Sequence, residues 1–508
     1  MTDCRLVPKR IESTRDDAID SESISSRIGA SLKPTLYWHD YETFGADPRR
    51  DRPAQFAGVR TDEALNEIGE PLVLYCKPPP DLLPHPEACL LTGITPQQAE
   101  AEGVPEPEFI ARIHGELARP GTCGLGYNTL RFDDEVTRHT LYRNFYDPYA
   151  REWQNGNSRW DLIDLTRMAY ALRPEGIQWP RNAEGKPSFR LEDLAEANGL
   201  AHDSAHDALS DVRATIALAR LIRRAQPRLY DWLFQLRSKH KVAELLDLKG
   251  HTPVVHTSRM YPAEIGCTTL VMPLVAEPRN GNGVLVYDLR HDPRPFLALE
   301  VEELRERLFT PNAELAEGVA RLPVKSVKVN KCPALAPRKT LDAGAAERIA
   351  IDLDACRRHW ELLRTSEGFG ERVAAAYGEA AYGGAEDVEL ALYEGFFDDS
   401  DRFLMERVRK ASPRELAEED FPFRDERLPE LLFRYRARNW PETLSPDERQ
   451  RWERFRRARI AQGAGGDTLG IEGYRARIAE LRREGVGGVQ QARILDALEA
   501  WGERLSAS

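Results

Sequence analysis

Asp40 and Glu42 stand two residues apart in Thr35–Thr43 (TLYWHDYET), a stretch dense in aromatic and β-branched residues that reads as a β-strand. Strand side chains alternate, so both carboxylates project from one face with Cα atoms roughly 7 Å apart. Two acids on an apolar strand repel each other and lose solvation, and a cation relieves both costs. A hard divalent ion such as Mg²⁺ takes oxygen ligands and keeps positions open for water and phosphate oxygens. Alone, D-x-E is a weak signal, because an edge strand with one solvated face carries it equally well.

A third acid, Asp133, follows in NTLRFDD at the start of an expected helix. Acids favour the first helical turn for electrostatic reasons alone, so one of Asp133 and Asp134 is expected to do no more than that. His206 and Asp211 complete the set in AHDALSDV. Five residues along a helix rotate the side chain by about 140°, so the two cannot share a helical face. Placing His206 in the loop ahead of the helix and Asp211 in its first turns lets both reach one site. A histidine that is neutral near pH 7 beside metal-binding acids is suited to take a proton from water.

Several elements must position these groups. Ala54–Val59 and Pro71–Lys77 read as further strands beside the first, Thr122–Tyr127 as a short strand, and Pro107–Leu117 and Asp133–Phe145 as helices. Ser188–Asn198 (SFRLEDLAEAN) carries a capping-box start and Gly199 as a stop. Asp207–Arg224 is a long amphipathic helix with Leu209, Val212, Ile216, Leu218 and Leu221 on its apolar side. The mixture predicts an α/β (α+β) architecture, with a mixed central sheet flanked by helices. Beyond a boundary near Arg224–Arg228, short strand patterns broken by Pro and Gly predict a β-rich domain. Tyr377–Asp387 is a linker candidate, and from Val388 onward the chain reads as helical and dense in Arg and Glu.

The 508 residues exceed what one core organises. No run approaches the roughly 18 apolar residues of a membrane span, and the N-terminus has no signal-peptide core. An aqueous, cytoplasmic protein is expected. Residues 1–33 are polar and aperiodic, and read as a disordered extension or as sequence ahead of the true start. The seven cysteines, Cys4, Cys76, Cys89, Cys123, Cys267, Cys332 and Cys356, form no close pair, so free thiols are expected rather than disulfides or a zinc site. A net charge of −12 argues against a nucleic-acid partner only if charge is spread evenly. It is not. Arg131, Arg138, Arg143, Arg151, Arg159, Arg167, Arg173, Arg181 and Arg190 are interleaved with Tyr142, Phe145, Tyr146, Tyr149, Trp153 and Trp160, the mixture of a basic groove with stacking platforms for single strands. About half of these are expected to be core aromatics or solvated arginines.

The order D-x-E, N-x(3)-F-D and H-x(4)-D resembles the DEDD exonucleases of the subclass whose last motif carries His rather than Tyr. HDYETFG, DRPAQFA, LTGITPQ, RFDDEVTR, YRNFYDPYA, NSRWDL, YALRPEGI and PSFRLE narrow the resemblance to the bacterial exodeoxyribonuclease I family. NKCP, the GFF at Gly395–Phe397 and YRARN extend it almost to the C-terminus. It implies a ribonuclease H-like exonuclease domain at 34–225, an SH3-like β-rich domain at 226–378 and a helical C-terminal domain at 379–508.

The resemblance further implies 3′ to 5′ degradation of single-stranded DNA to 5′-mononucleotides, in repair and recombination, by a monomer. Two Mg²⁺ ions, or Mn²⁺, would be held by Asp40, Glu42 and Asp211 and by Asp133 with Asp40, with His206 as general base. Implied substrate contacts are Glu42, Arg138, Tyr149, Trp153, Arg167, Arg190 and His206, and an implied partner is the acidic tail of single-stranded DNA-binding protein. A basic stretch at Lys325, Lys328, Lys331, Arg338 and Lys339 reads either as part of a clamp on the strand or as the solvated face of a surface strand. The competing readings are a DEDD exoribonuclease or proofreading subunit, and a catalytically silent DNA-binding scaffold.

Overall fold

The computed structural model describes residues 33–201, 207–378, 384–485 and 488–507, so Cys4 and His206 lie outside the described residues, as do residues 1–32 of the expected N-terminal extension. The strand Thr35–Thr43 (β1) is buried along almost its whole length, and that places it mid-sheet. β2 (Pro53–Thr61), β3 (Leu72–Tyr75), β4 (Thr122–Gly126) and β5 (Ser158–Asp161) complete a five-stranded sheet in the order β3-β2-β1-β4-β5. The β1–β2 and β2–β3 pairs are antiparallel, while β1–β4 and β4–β5 are parallel, giving the mixed sheet the sequence predicts.

Alternation along β1 separates two cores. Tyr37 and Tyr41 pack on one side with Phe56, Phe109 and Ile113. Leu36 and Trp38 pack on the other with Val212, Ile216 and Ala219. The principal helices of this part are α1 (Asp133–Arg143), α2 (Leu162–Leu172), α3 (Leu191–Ala197) and α4 (Ala208–Ala225). The apolar stripe of α4 lies over β1 and β2.

The capping box expected at Ser188 does not form. The Ser188 hydroxyl donates to Asp193 instead, the chain stays extended through Arg190 (φ −74°, ψ 141°), and α3 starts at Leu191. α1 ends two residues earlier than expected, and Phe145 takes a left-handed conformation at φ 62° with its ring fully buried.

A second five-stranded sheet follows, β6 (Val254–Thr257), β7 (Thr268–Ala276), β8 (Gly283–Asp288), β9 (Val324–Lys328) and β10 (Ala334–Pro337), in the order β10-β6-β7-β8-β9 with every pair antiparallel. β10 is invisible in the sequence because it is short and ends in proline. Its core is continuous with that of the first sheet: Trp38, Ile216, Tyr230, Val255 and Leu285 belong to one cluster. The two sheets are therefore joined without a break in packing.

The C-terminal part is helical, including Asp399–Lys410, Arg427–Asn439, Pro446–Gln462, Ile471–Arg483 and Val489–Ala507. It is fastened to the first sheet's surroundings by buried ion pairs. Asp81, 0% exposed, accepts from Arg438 Nε and Nη2 at 2.9 and 2.8 Å, and Arg52 donates to Glu389 at 2.7 Å. Burial alone would raise the Asp81 pKa, but Arg438 and Arg459 override it and hold the carboxyl at about 2. The six cysteines among the described residues are free thiols. Among the described residues no helix is long and apolar enough to cross a membrane.

Candidate active site

The face of β1 that begins with Leu36 and Trp38 changes chemistry at Asp40 and Glu42, where the N-terminus of α4 arrives. Asp207 caps that helix, its side chain accepting from the Ser210 N–H, so Asp211 falls in the first turn. One carboxylate oxygen from each of Asp40, Glu42 and Asp211 lies within 4.8 Å of the others. Asp133, 3% exposed, opens α1, and its Oδ1 accepts the backbone N–H of Tyr41 at 2.9 Å. That bond ties the third acid to the strand residue between the first two.

The electrostatics are those of like charges brought together and buried. Burial raises the Asp40 pKa well above the usual range, and Asp133, Asp211 and Asp207 raise it further. Glu42 is pushed up to about 10, first by burial and then by Asp40, Asp211 and Asp207. Burial likewise raises Asp133, against the Tyr41 N–H. An all-oxygen donor set of this kind fits a hard divalent cation, whose binding expels protons from the ligands.

Asp134 is the opposite case. It accepts from Arg151 at 2.6 Å and Arg159 at 2.8 Å, and these overcome burial to hold it below the usual carboxylate range. Of the two adjacent acids, Asp133 thus faces the cluster and Asp134 is a buried structural anion.

Two cavities adjoin the cluster. One, of about 1170 Å³, is walled by Asp40, Asp211, Arg167, Arg190, Phe189 and Arg259. The other, of about 590 Å³, lies beyond Glu42 and is lined by Tyr41, His85, Leu91, Phe132 and Leu469. Arg190 is exposed beside Glu192, and Arg167 is held by Asp164 at 2.7 Å.

The remaining expected contacts sit elsewhere. Trp153 is 65% exposed. Arg138 is buried, its guanidinium taken up by Glu152 (2.7 and 2.9 Å) and Glu135 (2.9 Å). It lies 5.4 Å over the Tyr149 ring, the geometry of a residue that fixes Tyr149 rather than one that reaches solvent. Of the basic stretch, Lys325 donates to Ser258 Oγ at 2.7 Å, and burial lowers its pKa to about 8. Lys328 is engaged by Glu277.

Two positioning residues escape a reading of the sequence. The Asp161 carboxylate accepts the N–H groups of Asn128 (2.8 Å), Leu130 (3.1 Å) and Ile163 (3.0 Å), shaping the turn that leads into Asp133. Gln55 pairs with Glu42 in the β1–β2 register, and its Oε1 accepts the Ala208 N–H at 3.2 Å. The only signal is a polar side chain inside the apolar run PAQFA. Gln55→Leu should cost about 1 kcal/mol of stability for the lost bond and weaken divalent-metal binding by up to about fivefold, read by titration calorimetry. Unchanged metal affinity would remove Gln55 from the site.

Residues 37–219 match the family model described as Exonuclease, residues 237–379 that of the Exonuclease I SH3-like domain, and residues 386–505 that of the Exonuclease I C-terminal domain. The Exodeoxyribonuclease I of Escherichia coli K12 is 48% identical over 472 residues, 93% of this chain and 98% of that protein. The structure of a moderately thermophilic Exonuclease I from Methylocaldum szegediense matches at 52% identity and TM-score 0.89, covering 93% of this chain and 100% of its own. The Escherichia coli Exonuclease I complex with a dA16 oligonucleotide matches at 48% identity and TM-score 0.89, with the same coverage. Related structures include a zinc-bound complex of the Escherichia coli enzyme with single-stranded DNA and an SSB/Exonuclease I structure. An exonuclease domain, an SH3-like domain and a C-terminal domain thus follow one another over nearly the whole described chain, and the chain belongs to the exodeoxyribonuclease I family.

Proposed function

We propose that the protein removes nucleotides one at a time from the 3′ end of single-stranded DNA, releasing 5′-mononucleotides, with Mg²⁺ as its metal. The observation that carries this reading is the acid cluster lying between two cavities of different character. The apolar cavity beyond Glu42 is of a size suited to a small ligand and would take the terminal nucleobase against Leu91 and Phe132. The larger cavity offers Arg167 and Arg190 to the phosphates that follow. A strand lying across both would present its last phosphodiester to the acids, which is the placement end-directed cleavage needs.

Asp40, Glu42 and Asp211 would hold one divalent ion and Asp133 with Asp40 a second; such ions acidify the attacking water and offset charge on the leaving oxygen. His206 would take the proton from that water, as its neutral imidazole is suited to do near pH 7. Asp161 and Gln55 hold the turn before Asp133 and the start of α4, fixing the acids relative to one another. The proposed domain limits are 34–225, 226–378 and 379–508, supported by the family-model matches at 37–219, 237–379 and 386–505. The acidic tail of single-stranded DNA-binding protein is the proposed protein partner, in keeping with the SSB-bound relative.

A time course on DNA and RNA oligomers labelled at either end tests the reading. With Mg²⁺, 5′-labelled DNA should shorten stepwise, 3′-labelled DNA should release label at once as mononucleotide, and EDTA should stop both. Faster digestion of RNA would favour the exoribonuclease alternative, and full activity in EDTA would overturn the metal assignment.

A further inference from the structure

The cavity beyond Glu42 is not closed by the exonuclease domain alone. Tyr41, His85, Leu91 and Phe132 line it from that domain, while Leu469 and Arg477 reach it from the C-terminal one. Among these, Leu469 is an apolar side chain supplied by a part of the molecule that carries none of the acids.

The turn that delivers Leu469, residues 463–470, is tightly folded. Gly463 takes φ 82°, and a Cβ on it would lie 2.4 Å from the Thr468 carbonyl oxygen, so glycine is required there. Thr468 Oγ1 donates to the Gly465 carbonyl and accepts the Ala464 N–H, both at 2.7 Å. A Cβ on Gly470 would come 2.4 Å from the Ala461 carbonyl oxygen. The turn therefore closes back on the end of the helix Pro446–Gln462, which leaves Leu469 little freedom to move.

Two ties from the exonuclease domain bracket it along the chain. Ahead of Leu469, the Arg50 guanidinium, from the loop after β1, donates to the Ala464 carbonyl at 2.9 Å. Behind it, Arg477 in the helix Ile471–Arg483 donates to Glu87 and to Glu480 at 2.5 Å. The two domains also share an apolar core, in which Phe44, Ala54 and Cys89 pack with Tyr474, Ile478 and Leu498, and Leu469 rests against it. Arg477 and Glu87 are 30% and 48% exposed, and exposed pairs of this kind add little stability. The shared core thus holds the domains together, while the two ties fix where the wall of the cavity stands.

We propose that Leu469 sets the size limit of the terminal-nucleobase pocket, so that the C-terminal domain decides which 3′-terminal nucleotides the protein accepts. The inference rests on the proposed function, which places that base in this cavity. An apolar wall discriminates by bulk and not by hydrogen bonding, because it offers no donor or acceptor to read a base edge. The natural bases therefore pass, and a base whose substituent reaches the wall is excluded by contact with Leu469.

The test measures release of the first nucleotide, with Mg²⁺, from single strands ending in thymidine or in analogues with C5 substituents of increasing length. The parent's rate should fall steeply beyond one length. Leu469→Ala should move that limit outward, releasing the first excluded analogue about tenfold faster, relative to thymidine, than the parent does. Leu469→Trp should move the limit inward, and Leu469→Met, which nearly keeps the volume, should leave it in place. Opposite shifts from a smaller and a larger side chain are a readout that general loosening does not produce. An unchanged limit in both Leu469→Ala and Leu469→Trp, or shifts of the same sign in the two, would overturn the size limit. Normal release of thymidine by a parent that shows no limit at all would overturn it alone. A parent that releases no thymidine from the 3′ end would overturn the proposed function and this inference with it.

Discussion

Glu42→Gln should lower turnover by about 10³-fold, the factor expected when several kcal/mol of charge stabilisation at the reacting phosphate is lost, and should at the same time stabilise the metal-free protein. The second half follows from the acid cluster's electrostatics. Burial, then Asp40, Asp211 and Asp207, raise the folded-state pKa of Glu42 from 4.5 to about 10. An acid whose folded pKa lies above its unfolded value binds more protons when folded. Its contribution to stability is therefore greatest in acid and is lost as pH rises through that window. Glutamine carries no charge at any pH, so the melting temperature of the variant in EDTA should exceed the parent's by an amount that grows from pH 5 to pH 9. Saturating Mg²⁺ should reverse the order, since the parent then gains binding energy that the variant has lost. A variant less stable than the parent at every pH in EDTA would show that the carboxylates are not strained by their own charge.

Such a site is a stability–function trade. The sheet stays intact around it because Leu36 and Trp38 on the same face of β1, and Tyr37 and Tyr41 on the other, are buried in two separate cores. The buried pairs of Asp81 with Arg438 and of Arg52 with Glu389 join the C-terminal domain to the exonuclease domain. Removing one partner from such a pair is costly, because the other is left charged and buried. The charge of this molecule is thus sorted into anions paired with arginines, which carry architecture, and a cluster of like-charged acids poised for a cation.

How much of this can be read from the sequence depends on the range of the interaction. Alternation along a strand is local, so the common face of Asp40 and Glu42 is legible, as is the need for the last helix to begin after His206. The choice between Asp133 and Asp134 is not local. It is made by the Tyr41 N–H on one side and by Arg151 and Arg159 on the other, contacts that exist only once the sheet is assembled. Gln55 matters because the β1–β2 register sets it opposite Glu42, and no periodicity carries a register. Ser188 has the right spacing for a cap, but the chain stays extended to Arg190 and the helix starts at Leu191, so the serine lies outside the capping position and its hydroxyl donates to Asp193. Arg138 belongs to an arginine-rich stretch suited to DNA, yet Glu152 and Glu135 claim its donors. Charge density along the chain shows that cations are present, not which are already paired.

His206→Ala should separate chemistry from binding more sharply than any acid substitution. The residue is one peptide bond ahead of Asp207, whose side chain caps α4, so it is tethered to the element that delivers Asp211. An imidazole with an unperturbed pKa of about 6.5 is largely neutral at pH 7.5 and can accept a proton there. Removing a positioned general base costs about 10²–10⁴-fold in turnover. Strand affinity, set by stacking and phosphate contacts elsewhere, should change little. The pH–rate profile adds an independent signature: the parent's rate should rise with pH as the imidazole loses its proton, and that limb should vanish in the variant. Pre-steady-state rates and anisotropy with a labelled oligomer read the two quantities separately. A loss of affinity matching the loss of turnover would make His206 a substrate contact, and an acid limb that survives the substitution would assign the titration to the carboxylates Asp40, Glu42 and Asp133 instead.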